Sequence, residues 1–204
     1  VISPIDPVPS MFLGTSDITL YEMVGAYGTF ANKGVFTQPI FVERIEDRHG
    51  NIISTFRAEK HDAIDEQTAY LMVDLMRGVV DFGSGGRLRW SPDYGGFKGP
   101  IAAKTGTTQN HSDGWFIGIT PQLVNGAWTG AELRSIHFED LQSGQGARMA
   151  LPIWGYYMRK VYADRSLPYR DNTDFERPAT FSVNINCDDP ESIEQNNDNS
   201  EEFF

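Results

Sequence analysis

Cysteine is almost absent from this chain of 204 residues. Cys187 stands alone, so no disulfide can close within the chain and no thiolate cluster can form. That neither requires nor excludes an oxidising compartment. His49, His61, His111 and His137 are scattered without ligand spacing, and neither a metal nor a cofactor is expected. Positive charge is scarce: 17 Lys and Arg face 28 Asp and Glu, and the net charge of −11 argues against nucleic acid as a partner. No apolar run reaches the roughly 20 residues that span a bilayer. A signal-peptide pattern is also missing, and the chain opens on Val1 rather than Met, which reads as a fragment with its targeting segment upstream. Gly83-Ser84-Gly85-Gly86 lacks Walker spacing and reads as a flexible connector.

What is present is enough for one full-sized domain: 204 residues, 40% of them hydrophobic. Thr19 and Glu22 have capping-box spacing, and apolar residues from Leu20 to Ala31 recur at helical period up to Gly34, a left-handed stop. Val35–Val42 and Ile52–Phe56 read as a hairpin around the turn Asp47 to Asn51. A second helix is predicted from Asp65 to Val80, capped by Asp65 or Asp62. Three short strands follow, Ile101–Thr105, Gly114–Ile119 and Leu123–Trp128, whose short connections favour antiparallel neighbours. A last helix is expected from Gly146 to Tyr162. Trp115, Trp128 and Trp154 read as core, while Trp90 is a candidate to line a cleft.

The fold expected is α/β of the α+β type, an antiparallel sheet flanked by helices. Residues 1–162 form its body. Residues 163–187 read as an irregular extension with one short strand at Phe181–Ile185, and 188–204 as an acidic disordered tail. The chemistry is concentrated in Lys104-Thr105-Gly106-Thr107-Thr108. A small apolar strand there presents one cation, hydroxyls and a residue without a side chain, which suits an anionic substrate.

These stretches together resemble the transpeptidase domain of bifunctional, class A penicillin-binding proteins, and its C-terminal half in particular. The resemblance runs from about Met11 to Met158. It is carried by Leu13-Gly14-Thr15-Ser16-Asp17-Ile18-Thr19-Leu20-Tyr21-Glu22-Met23, by Ala26 to Gly34 and by Ile45 to Ile53. Lys104 to Asn110, Ser112 to Gly118 and Pro152-Ile153-Trp154 complete it. A bare Lys-Thr-Gly is a weak signal, and the ordered series is a strong one. The family uses three signatures: Ser-x-x-Lys with the acylated serine, Ser-x-Asn, and Lys-Thr-Gly. Only the third is here. No Ser-x-x-Lys occurs in the chain, and Ser182-Val183-Asn184 lies after Lys104, where the family would not place it.

The resemblance implies a peptidoglycan D,D-transpeptidase acting on D-Ala-D-Ala stem peptides, with β-lactams as covalent inhibitors. It implies a partial serine β-lactamase/transpeptidase-like fold. It puts Lys104 in the role of a fixed cation and proton carrier. Gly106 would admit the substrate backbone, and the Thr107 N–H would be one oxyanion donor. The hydroxyls of Thr105 and Thr107 would hold the terminal carboxylate, with Thr108 supporting the turn. The isolated chain is expected to be inactive without its nucleophile. The parent would sit on the periplasmic face of the inner membrane, anchored by an upstream helix. Its missing N-terminal half would cover one face of the sheet, so dimerisation or another partner is expected there. A serine β-lactamase or D,D-carboxypeptidase fragment shares the Lys-Thr-Gly strand, and a non-catalytic peptidoglycan sensor could keep the same fold.

Overall fold

Local hydrogen bonding decides where the first helix starts and stops. In the computed structural model of the chain, which describes residues 2–183 and 185, α1 runs over Leu20–Ala31. The Thr19 hydroxyl accepts from the Glu22 N–H at 3.2 Å, and the Glu22 carboxylate accepts from the Thr19 N–H at 3.2 Å. Lys33 and Gly34 both turn left-handed, and the Gly34 N–H returns to the Thr29 carbonyl at 2.8 Å. Gly34 is obligatory there: a Cβ would stand 2.1 Å from the Ile64 carbonyl oxygen.

The expected single hairpin is instead two ribbons. β1 (Val35–Thr37) pairs with β4 (Lys60–Asp62), while β2 (Arg44–Glu46) pairs with β3 (Ile52–Thr55), all antiparallel. Pro39 explains the split, because a residue without an N–H cannot continue the first ladder. The predicted turn is in place, its Asp47 carboxylate accepting from the N–H groups of His49 and Asn51. α2 covers Glu66–Asp81 and is capped by Asp65, which accepts from the Thr68 N–H at 2.8 Å.

The Gly-rich segment after α2 is not slack. Gly85 N–H bonds the Val79 carbonyl at 2.8 Å and Gly86 N–H bonds Gly83 at 3.1 Å, folding the segment onto the last turn of α2 and into a one-turn helix, α3 (Arg87–Trp90). The Arg89 guanidinium then bonds Asp81 and the carbonyls of Phe97 and Gly99. It pins the loop that leads to the central sheet.

That sheet is β5 (Ala102–Thr107), β6 (Asp113–Thr120) and β7 (Leu123–Gly130), antiparallel in the order β5-β6-β7. A short α4 (Leu141–Gly144) precedes α5 (Gly146–Ala163). Strand pleating sorts β6 between two layers. Gly114, Phe116 and Gly118 face α5, where Trp154 packs edge-on to Phe116 at 5.5 Å and a Cβ on Gly118 would strike its indole at 2.5 Å. Ile119, with Ala102, packs against Val73 and Met76 of α2. Of the three tryptophans expected in the core, only Trp154 is fully buried. Trp115 is half-buried and Trp128 is 41% exposed, because they pair across β6 and β7 beyond the reach of α1 and α2.

After α5 the chain carries neither helix nor strand among the described residues. It runs back to α2, where Phe181 meets Tyr70 edge-on at 5.3 Å. The short strand expected at Phe181–Ile185 does not form over Phe181–Val183. The Ser182 N–H goes to the Gln67 side chain at 3.1 Å, so no ladder is built there. Asn184, Cys187 and the acidic stretch from Asp188 lie outside the described residues. No helix among the described residues is long and apolar enough to cross a membrane.

Candidate active site

Among the described residues β5 is an edge strand, and this places the five residues from Lys104 to Thr108 at the margin of the sheet. Thr108 N–H bonds the Asp113 carbonyl at 3.2 Å, which marks Thr108 and Asp113 as facing through hydrogen bonds. Antiparallel ladders alternate. By the register, Gly106 and Lys104 therefore also turn their peptide groups toward β6, while Thr105 and Thr107 turn theirs outward. The Lys104 ammonium confirms the outward carbonyl: Nζ donates to the Thr105 oxygen at 2.6 Å.

The side chains divide differently. Lys104 and Gly106 share a face with Trp115 and Ile117, on the α1 and α2 side of the sheet. Thr105 and Thr107 point to the α5 side. Only a ligand lying along the outer edge meets both sets. Lys104 is exposed, and Gly106 lacks a side chain for a packing reason as well, since a Cβ would lie 3.0 Å from the Trp115 Cβ.

Each threonine hydroxyl has a partner that sequence reasoning missed. Thr105 Oγ1 lies 2.7 Å from Ser84 Oγ. Thr107 Oγ1 accepts from the N–H of Gly146, the first residue of α5, at 3.0 Å, leaving its own O–H free to donate. A Cβ on Gly146 would stand 2.2 Å from the Gly106 carbonyl oxygen, so only glycine lets α5 approach the strand this closely. Thr108 serves the turn: its hydroxyl lies 3.0 Å from Ser112 Oγ and accepts from the Asp113 N–H at 3.1 Å. Asn110 and His111 in that turn are both left-handed. The signals for Ser84 and Gly146 are contacts across 21 and 39 residues of chain, invisible to local patterns.

Trp90 is 66% exposed at the end of α3 and is not among the residues contacting the strand through these bonds. Two surface cavities, of about 490 and 470 Å³, are lined by Arg77, Asp81, Arg89 and neighbours, and by Lys33 and Asp62–Glu66. Neither touches residues 104–108. Along the margin of β5, Lys104 and Thr107 are exposed and Thr105, Gly106 and Thr108 are half-buried. No group of three or more potential metal ligands occurs among the described residues.

Comparison with known proteins sets this geometry in a family. The penicillin binding protein transpeptidase domain matches residues 10–134. Penicillin-binding protein 1A of Aquifex aeolicus is 34% identical over 184 residues, covering 90% of this chain and 23% of that protein. The Rickettsia prowazekii penicillin-binding protein 1A is 32% identical over 187 residues, 80% of this chain and 23% of that protein. The chain thus spans about a quarter of the length of these relatives. Among solved structures, penicillin-binding protein 1A from Haemophilus influenzae superposes with a TM-score of 0.69 at 21% identity, over 81% of this chain and 29% of the other. An imipenem acyl-enzyme of penicillin-binding protein A from Mycobacterium tuberculosis gives 0.59 at 23%, over 77% and 36%. The fold agrees, the relatives agree, and the family match takes in β5 with the other two strands of its sheet: this chain belongs to the penicillin-binding protein transpeptidase domain family.

Proposed function

We propose that the chain is the C-terminal half of the transpeptidase domain of a class A penicillin-binding protein, with residues 1–162 as its body. In this reading the parent cross-links peptidoglycan on the periplasmic side of the inner membrane, anchored by a helix upstream. The carrying observation is the β5 margin, where outward peptide groups at Thr105 and Thr107, two anchored hydroxyls and one exposed ammonium meet along a single edge.

A stem peptide ending in D-Ala-D-Ala lies along that edge as an added strand. Its terminal carboxylate takes hydrogen bonds from the Thr105 and Thr107 hydroxyls in the field of Lys104. The outward N–H of Thr107 donates to the oxygen of the reacting carbonyl. The serine of the missing half adds to that carbonyl and gives up its proton. The C–N bond then breaks, and D-alanine leaves with a proton on its nitrogen. An amine of a neighbouring strand attacks the ester, restoring the serine and forming the cross-link. Lys104 holds positive charge where the proton moves. Gly106 leaves room for the peptide backbone, and Thr108 keeps the turn closed. A β-lactam follows the first step only, because its leaving nitrogen stays tethered.

The test is labelling with a fluorescent penicillin. The full-length parent takes up one label per chain on a serine outside this sequence, and the isolated 204-residue chain takes up none. Lys104→Ala in the parent slows labelling by about 100-fold, the scale of one proton-transfer group. Stoichiometric labelling of the isolated chain, or an undiminished rate in the variant, overturns the proposal.

A further inference from the structure

Among the described residues, the Ser84 hydroxyl is the side-chain polar group that another element sends to Thr105, and nothing in the family signatures calls for it. Its position is built. Gly83 and Gly85 flank it, and a Cβ on either would press on the Val79 backbone at 3.0 and 3.1 Å. Those two glycines let the segment lie flat on the last turn of α2, held by the Gly85–Val79 and Gly86–Gly83 hydrogen bonds. Between them stands a single side chain, exposed to solvent, with its oxygen 2.7 Å from Thr105 Oγ1.

A hydroxyl has one proton to give and two lone pairs to receive. In the free protein either oxygen of this pair can be the donor. An anion at the β5 edge removes the choice. A carboxylate only accepts, so the Thr105 proton must turn to it, and Thr105 oxygen then takes the Ser84 proton. A chain of donors running Ser84 to Thr105 to carboxylate polarises each link and strengthens the last one. Thr107 is arranged the same way, its oxygen already receiving the Gly146 N–H. The two threonines are thus parallel: each oxygen has a neighbour able to give it a hydrogen bond, Ser84 at Thr105 and the Gly146 N–H at Thr107, so that each O–H can be turned to the ligand.

We infer that Ser84 is a positioning residue for the substrate carboxylate, acting through Thr105. This rests on the proposed function above. The test compares two ligands on the full-length parent: a penicillin with its free carboxylate and the methyl ester of the same penicillin. Ser84→Ala lowers the acylation rate constant for the free acid by about tenfold, the scale of one strengthened hydrogen bond, and leaves the ester unchanged. Ser84→Thr, which keeps the hydroxyl, restores the rate with the free acid. Equal slowing of both ligands, no slowing of either, or failure of Ser84→Thr to recover the rate overturns the assignment of Ser84 alone. A wild-type parent that neither ligand acylates overturns the proposed function, and this inference with it.

Discussion

Replacing Gly146 with alanine should damage the molecule, whereas the same replacement at Gly78 should strengthen it. The first new Cβ would sit 2.2 Å from the Gly106 oxygen, 2.6 Å from the Trp115 oxygen and 3.1 Å from the Trp115 nitrogen, all backbone atoms of a paired ladder. None of them can swing aside as a side chain does. The start of α5 must therefore retreat by about 1 Å, and overpacking of this kind costs about 1–3 kcal/mol. The retreat stretches the Gly146 N–H bond to Thr107 from 3.0 Å beyond hydrogen-bonding range, a further loss of about 1 kcal/mol. Alanine's better helix propensity returns at most about 1 kcal/mol. The net is a destabilisation of about 2 kcal/mol, or a melting temperature lower by about 4–8 °C for a chain of this size. At Gly78, inside α2, a Cβ meets nothing within 4 Å, so only the propensity gain of up to about 1 kcal/mol remains. Urea unfolding followed by tryptophan emission measures both. A Gly146→Ala midpoint equal to wild type, or a Gly78→Ala midpoint that falls as far, would refute the packing argument.

Acid should weaken the fold through its helix caps. Hydrogen bonds from Thr68 hold the Asp65 carboxyl below its ordinary range, and those from Ser143 do the same for Asp140. A depressed folded value means the stabilisation is complete above the unfolded value near pH 4 and is lost as pH falls through the folded one. The urea midpoint should fall as pH is lowered from about 4 downward, and Asp65→Asn, which caps without titrating, should flatten that fall. Arg89→Ala should cost about 2–3 kcal/mol, because one guanidinium serves Asp81, Phe97 and Gly99, and Arg89→Lys should recover little of it. The isolated chain leaves Phe12, Leu13 and Phe41 more than four-fifths exposed, so light scattering at high concentration should find species larger than the monomer.

Much of the scaffold could be read from residues close together in sequence. The Thr19–Glu22 box, the Asp65 cap and the three sheet strands all rest on contacts within a few positions or on simple alternation. What escaped depends on partners far along the chain. Lys60-His61-Asp62 has no strand signature, and it is a strand only because Val35–Thr37 lies beside it. Trp128 carries the composition of a core residue yet stands 41% exposed where the covering helices end. At the candidate site, the type and place of Lys104 to Thr108 were plain. The hydroxyl behind Thr105 and the helix end behind Thr107 were not, because neither α2's glycines nor Gly146 announces which strand it approaches.

The unpaired margin of β5 has a consequence outside chemistry. A row of open peptide groups is a template on which sheets grow from one molecule to the next. Here the strand carries a lysine, a standard way of making such an edge a poor seed. A charged side chain on such a row opposes edge-to-edge pairing, so an apolar residue in place of Lys104 is expected to lower solubility before any reaction is assayed.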